Sequence, residues 1–452
     1  MKVSKFGGTS MADENTWNSI LTIASKDTNR VIVVSAIYKA TNTLLEAIRL
    51  ARTGSYQDAK ELSKQLKERH ESIVQNFLKD HCKQNKDAIG QEAQQWIDKN
   101  FTVLDDSLAN IYKDGEASKQ TVDVISSIGE RLSAYLLAAC GRAIAMDTVY
   151  IDAGNIIHTD DNFGKANPDP LQIKSKAAHL KSMLSEGKTI IMGGFYGHNQ
   201  TGEITTLGRG GSDYSASLVA SALDAESIEI WTDVNGMYTC DPRFVSEAKL
   251  IPEIRFEEAA ELAYFGARVL HPATIQPAVE KDIPVYIKNT FAPDQKGTKI
   301  CSSSGFDGDI RAIAFKQGIT IVTINSSRML MAYGFLARVF TTFEKYRVPV
   351  DLVTTSEVSI SMTVDSTENL DHVLEELQEY GVVESSKSQS LICLVGHNFN
   401  HSSGIALKVF EALSGIPVRM ISQGSSDINL SLVVDDEHTI KAVQALHNKF
   451  FY

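Results

Sequence analysis

Apolar residues recur along the chain at two different periods, and the switching between them gives the architecture. KVSKF, residues 2 to 6, is a short strand-like run stopping at Gly7-Gly8, and TNRVIVVSA, residues 28 to 36, is a β-branched run of the kind buried in a parallel sheet. Between them, ADENTWNSILTIAS has helical spacing with acidic residues in its first turn. From Leu44 to about Leu108 the chain is polar and charged with apolar positions at helical spacing, which predicts a solvated helical layer. HESIVQNFLKDH reads there as one amphipathic helix, with His70 and His81 on its surface. Alternation resumes at TVDVISSIGERLSAYLLAACG, residues 121 to 141, a strand end turning into a helix. It continues through the strand KTIIMGGF, the apolar helix SASLVASAL and the strand SIEIWTDV. Strands alternating with helices predict an α/β fold, an open and mostly parallel sheet with helices on both faces.

After KDIPVYIKNTF a turn-rich stretch, APDQKGTKICSSSGFDGDI, marks a boundary. The remainder changes character: strands at 318 to 327, 348 to 365 and 390 to 396 alternate with helices at about 330 to 346, 367 to 379 and 402 to 413. That order predicts ferredoxin-like units, and a helix, a Pro before a strand, a serine-containing turn and a second strand occur twice, an internal repeat of roughly 70 residues.

Composition narrows the partners. The 452 residues carry a formal charge of -12, which suits a soluble protein and repels a polyanion, so no nucleic acid is expected. Five cysteines lie far apart without a CxxC pair and read as reduced thiols in a cytoplasmic compartment. No apolar run is long enough for a signal peptide or membrane segment.

Ligands of open α/β sheets sit beyond the carboxyl ends of the strands, where Gly7-Gly8, Gly193-Gly194 and the 208 to 213 loop all fall. Consecutive glycines let backbone amides approach phosphate oxygens, but neither a Walker A nor a GxGxxG spacing is present, so tight structural turns stay open as an alternative. Lys5, near a strand end, is either an edge lysine or a cation for a transferring phosphoryl group. Arg209 offers a planar fork for a carboxylate or phosphate. Asp213 and Glu130, each read at a helix start, are either caps or ligands, Glu130 as the counterion of an amine. Asp233, Tyr238, Asp241 and Arg243 surround an opening in TDVNGMYTCDPR, fit for a purine and its phosphates or for a packed turn. His271 reads as a packed histidine, not a base.

Taken together, KFGGTS, the TN after VIVVSA, GE within SSIGERLSA, TTLGRGGSDYSA, WTDVNGMYTCDPR, GARVLHP, SSRMLMAYGFLARVF and VDLVTTSEVS resemble the aspartate kinase family over nearly the whole chain. The resemblance implies an amino acid kinase fold followed by two ferredoxin-like ACT domains: residues 1–294 catalytic, 295–318 linker and first strand of the second ACT domain, 319–388 the inserted first ACT domain, 389–452 the rest of the second. It implies phosphorylation of the side-chain carboxylate of L-aspartate by ATP with Mg2+, held mainly through the ATP phosphates, as the entry step toward lysine, threonine and methionine. Lys5, Asp213 and Arg268 match catalytic positions. Gly7, Gly8, Thr232, Asp233, Tyr238, Arg243 and Arg268 match the nucleotide side, with Lys5. Thr41, Glu130, Arg209, Ser212 and Asp213 match the aspartate site. The tail resembles the lysine-sensitive, homodimeric branch, with Ser326, Ser327, Met329, Gly334, Phe335, Leu336, Val350, Asp351, Ser356 and Glu357 at the effector positions. No fused homoserine dehydrogenase is expected. This chain departs from the pattern with Arg268 where relatives often have lysine, and with a bulkier loop at Tyr38-Lys39. Rival readings are a kinase for glutamate, acetylated glutamate or carbamate, and a non-catalytic amino-acid sensor.

Overall fold

The structure, a computed structural model, describes residues 1–452 except 28, 266–269, 307, 331–332 and 425. Contacts divide the chain into two units, Met1–Met237 with Val269–Ser304, and Tyr238–Arg268 with Gly305–Tyr452. Strands and helices are numbered in chain order.

The first unit is built on β1 (Lys2–Phe6), β2 (Arg30–Val34), β3 (Thr148–Ile151), β4 (Thr189–Gly193) and β7 (Ser227–Thr232). A small hairpin, β5 (Tyr196–His198) with β6 (Ile204–Thr206), stands apart. The chain passes through β8 (Glu253–Arg255) and α8 (Phe256–Tyr264), which belong to the second unit, before β9 (Val285–Asn289) and β10 (Thr298–Cys301) complete the sheet. Within this unit the order is β3-β4-β2-β1-β7-β9-β10, parallel except for β10 on β9.

Its helices are α1 (Glu14–Ser25), α2 (Ala40–Arg52), α3 (Tyr56–Asp80), α4 (Lys86–Asp114), α5 (Lys119–Ala143), α6 (Pro170–Ser185), α7 (Gly211–Leu223) and the short α9 (Gln276–Val279). Because strand side chains alternate, Phe6, Ile32, Val34, Ile191 and Trp231 join the apolar faces of α1 to α5 in one core. Val3, Lys5, Val31 and Val33 point to the opposite face, where α7 packs on β1 and β2. The α1 to α5 face also carries charge: Arg30 bonds Glu229 at 2.9 Å, Lys288 reaches the other Glu229 oxygen at 3.0 Å, and the Trp231 indole donates to Glu229. Burial pushes the Glu229 carboxyl up, but the Arg30 and Lys288 cations outweigh it, and the net shift is downward.

Two expectations about this unit are corrected. His70 is buried, with Nδ1 2.8 Å from the Leu66 carbonyl and its ring edge-on to Phe101, and burial lowers its pKa to about 4. The helix α3 packs on both α2 and α4, so a face that looks polar in sequence is covered. Residues 121 to 141 contain no strand end: Ser118 caps α5, and the β-branched Thr121, Val122 and Val124 are helical because the helix is buried along much of its length. Glu130 therefore sits in mid-helix, not at a helix start.

The second unit is an antiparallel sheet in the order β12-β13-β11-β14-β16-β15, formed by β11 (Ile310–Asn325), β12 (Val353–Thr355), β13 (Ser359–Val364), β14 (Val382–Gly396), β15 (Met420–Gln423) and β16 (Asn429–Asp435). It carries α10 (Phe335–Lys345), α11 (Leu370–Leu377), α12 (Ile405–Ala412) and α13 (Thr439–Phe451). The separate strands expected at 309 to 317 and 318 to 327 are one strand, β11, paired along its length with β14. Register shifts between Lys316 and Ile321 mark the join, where Gly318 takes φ +75 and Ser388 φ +56. On one side of the join Val322, Val339, Met362 and Val373 share a core; on the other Ile313, Ile392, Val409 and Leu432 do. Cys240 and Val245 enter the latter core, and the Thr239 hydroxyl meets His447 Nε2 at 2.9 Å, which is why 238–268 groups with this unit.

Candidate active site

Strand alternation puts the Lys5 ammonium on the α7 side of the sheet, 2.7 Å from Asp213 Oδ1, with the two side chains only 12% and 14% exposed. Asp213 lies in the first turn of α7, where the N-cap is Gly210, so the reading of it as a cap gives way to that of an ion-pair partner. The turn is entered through Gly210 at φ +74, a conformation that favours glycine.

Glu130 and Ser212 meet below this pair: the Ser212 hydroxyl donates to Glu130 Oε1 at 3.0 Å. Burial pushes the Glu130 carboxyl up to about 8, against the Ser212 hydrogen bond, the Ala36 backbone amide and the Lys5 charge, which pull it down. Glycines set these distances. A Cβ on Gly194 would sit 2.6 Å from Ser212 Cα, and one on Gly129 2.8 Å from the Ala36 Cβ. Gly194 thus serves close packing of β4 against α7 rather than opening a backbone cradle.

Of the two glycines expected over phosphates, Gly7 donates its amide to the Trp231 carbonyl at 3.1 Å, tying the loop to the end of β7, while Gly8 opens the turn Gly8–Met11. Phe6 stacks on Trp231 above the same point. Thr41 lies in the first turn of α2, just after Lys39 at φ +65. Arg209 is exposed and forms no ion pair among the described residues. Thr232 ends β7 and donates its hydroxyl to the exposed Asp233 at 3.2 Å.

The other nucleotide-side residues belong to the second unit. Tyr238 bridges Leu250 through the backbone, and Arg243 has its fork on Asp241, Nε lying 3.0 Å from both carboxylate oxygens. Arg268 lies outside the described residues, as does the Gly266–Val269 part of GARVLHP.

The positions expected to hold the effector lie around the β11 end and the β12–β13 hairpin. Ser326 is buried and bonds the Tyr380 carbonyl at 2.6 Å, Ser327 and Met329 form the following turn, and Gly334 at φ +73 starts α10 with Phe335 buried and Leu336 exposed. Val350, partly buried, packs against the core that holds Val322 and Met362. Ser356 and Ser359 close the hairpin with hydroxyls 2.7 Å apart, beside exposed Glu357. Asp351 is half-buried and accepts from the Tyr264 phenol. Burial raises its pKa, and Asp365 adds to this while Tyr264 and Lys316 oppose it.

Sequence reading missed Asp123. It is buried on α5 and accepts from the Gly164 and Thr206 amides, both at 2.9 Å, and from the Thr206 hydroxyl at 2.7 Å. Its signal was a second carboxylate on the face of α5 that carries Glu130, hidden by reading the segment as strand.

The amino acid kinase family model matches residues 1–289, and an ACT domain model matches residues 392–450. The chain is 37% identical to lysine-sensitive aspartokinase 3 of Escherichia coli over 99% of both chains. It is 38% identical to chloroplastic aspartokinase 2 of Arabidopsis thaliana, covering 99% of this chain and 84% of the relative. Its fold superposes on E. coli aspartokinase III in complex with lysine and aspartate with a TM-score of 0.84 at 36% identity, covering 100% of both chains. The aspartate kinase of Clostridium acetobutylicum gives 0.83 at 30% identity, again over 100% of both chains. With Lys5, Asp213, Glu130 and Ser212 assembled on an amino acid kinase sheet, the chain belongs to the aspartokinases.

Proposed function

We propose that this chain transfers the γ-phosphoryl group of ATP to the side-chain carboxylate of L-aspartate, and that L-lysine inhibits it through the tail. The carrying observation is the shielded Lys5–Asp213 ion pair beside a buried Glu130 that has no cation of its own closer than Lys5 among the described residues. Arg209 forks onto the substrate α-carboxylate, and ionised Glu130 receives the α-ammonium, with Ser212 and Thr41 as polar neighbours. This leaves the side-chain carboxylate aimed at phosphorus. Its oxygen bonds the γ-phosphorus as the bond to the β,γ-bridging oxygen breaks, and ADP leaves. The acceptor is already ionised, so no base is needed. Lys5, held in direction by Asp213, neutralises charge on the transferring group.

Gly8, Thr232, Asp233, Tyr238, Arg243 and Arg268 contribute on the nucleotide side, and Gly7 acts by anchoring the loop. Mg2+ would enter mainly on the ATP phosphates and neutralise part of their charge. The domain limits are 1–294, 295–318, 319–388 and 389–452 as implied by the family. Tyr333, 99% exposed, with exposed Leu336 and Phe340, supports a homodimer through the ACT domains. Five free cysteines support a reducing, cytoplasmic setting, and no described helix is long and apolar enough to cross a membrane.

Hydroxylamine trapping of the acyl phosphate from ATP and Mg2+, with aspartate or glutamate and with or without lysine, tests the whole reading. Product from aspartate alone, falling with lysine, is expected. Product indifferent to lysine would reassign the effector, and no product from either acid would leave a sensor.

Asp351 gives the effector a carboxylate for an ammonium group, in competition with the Tyr264 phenol. Asp351→Ala is expected to raise the half-inhibiting lysine concentration about tenfold or more, the loss of a charged hydrogen bond. Tyr264→Phe, which frees the carboxylate, lowers it. Each is read against that variant's own rate without lysine; unchanged inhibition in Asp351→Ala would remove Asp351 from the site.

A further inference from the structure

The loop bearing Arg209 is held at both ends by carboxylates from one helix. At its far end Ser212 donates to Glu130 at 3.0 Å. At its near end Thr206 is gripped by Asp123, which takes both the amide, at 2.9 Å, and the hydroxyl, at 2.7 Å. Asp123 and Glu130 are seven positions apart on α5, which puts them on the same face about 10 Å apart along the axis. The span between them sets where the Thr206–Ser212 segment can lie.

Asp123 does more than cap a strand. It is 1% exposed, forms no ion pair among the described residues, and takes its third bond from the Gly164 amide at 2.9 Å. That bond draws in a second layer: the Ala166 amide returns to the Thr206 carbonyl at 2.9 Å, and a Cβ on Gly208 would stand 3.4 Å from the Gly164 carbonyl oxygen. Leu207 is fixed in turn by the Phe195 carbonyl at 2.8 Å. Arg209 itself is exposed between Gly208 at φ +78 and Gly210 at φ +74. The turn that carries it is closed by the Gly211 amide donating to the Gly208 carbonyl at 3.0 Å, and where that turn stands is set by the pinned ends.

The geometry points to Asp123 as a positioning residue for aspartate binding: through Thr206 and Gly164 it fixes the loop that aims Arg209 at the substrate α-carboxylate. This rests on the assignment of Arg209 made above. Both amides bond one Asp123 oxygen and the Thr206 hydroxyl the other, so asparagine can keep all three contacts with its NH2 donating to the hydroxyl, whereas leucine, of similar shape, keeps none.

The test measures steady-state constants for Asp123→Leu, Arg209→Ala and the double variant, with amide hydrogen exchange over residues 205 to 212 in full-length protein. Asp123→Leu is expected to raise the KM for aspartate about tenfold, with the KM for ATP held, a smaller change in kcat, and faster exchange in the loop. On an Arg209→Ala background the same substitution should add almost nothing, since both act through one contact. Equal rises in both KM values, or full additivity with Arg209→Ala, would indicate a merely structural carboxylate and overturn the inference. An unchanged aspartate KM in Arg209→Ala removes the substrate assignment and this inference with it, whereas unchanged exchange in Asp123→Leu removes the clamp alone. Should Asp123→Leu fail to fold, Thr206→Val deletes only one of the three bonds. It should raise the aspartate KM about threefold, and an unaltered KM counts against the proposal.

Discussion

Lys5→Ala is expected to lower kcat for aspartyl phosphate formation by about three orders of magnitude, at the upper end of what removing one preorganised charge-stabilising group costs. The ammonium is only 12% exposed and lies 2.7 Å from Asp213, so it acts where water screens little and its direction is already set before ATP arrives. Its work is on charge that spreads over the phosphoryl oxygens during transfer, so the KM for aspartate should move only a few-fold. Removing it also leaves the Asp213 carboxylate without its cation and facing the phosphates, which adds to the loss. Lys5→Arg keeps the charge but spreads it over a planar fork, and should recover only part of the rate. Thermal unfolding of each variant separates this from a folding defect. A kcat for Lys5→Ala within tenfold of the parent would refute the role.

The second large effect is in pH. The Glu130 carboxyl is pushed up to about 8 by burial, so in the free site it is largely protonated at neutral pH. An α-ammonium binds the ionised form, and below about 8 that requires release of a proton. The KM for aspartate should therefore rise by about tenfold per unit as pH falls from about 8 to 6. Glu130→Gln should abolish that slope and, at pH 8, raise the KM about thirtyfold through loss of the charged partner. A flat profile in the parent would mean that Glu130 does not meet the ammonium. Folding carries the opposite sign to a paired carboxylate. With the folded pKa raised from 4.5 to about 8, the group opposes folding increasingly across that window and fully above it. Bound aspartate, by supplying a cation, should lift thermal stability most at the alkaline end.

Much of this site could be read in the chain because its signals are local. Lys5 sits one residue from Phe6 in an alternating strand, so the two must face opposite sides, and Asp213 follows a glycine pair into a helix. What sequence could not give depends on partners distant in the chain. Gly194 looked like a phosphate loop because nothing local indicates that Ser212 packs onto it. His70 looked solvated because α3 has neighbours on two sides, and hydrophobic spacing reports a single stripe. Asp123 and Glu130 were both visible as acids, but β-branched neighbours disguised the first turn of α5 as strand. That mistake cost the seven-residue spacing that relates them.

The join in β11 and β14 has a thermodynamic consequence. The two apolar cores of the second unit have separate side chains but share the same pair of backbone ladders, continuous from Ile310 to Asn325 and from Val382 to Gly396. Neither core can open without fraying hydrogen bonds that end inside the other, so their melting is coupled even where no side chain of one touches the other. A ligand that tightens the core around Asp351 then raises the opening cost of the other one. Its effect is felt as loss of conformational freedom as well as movement.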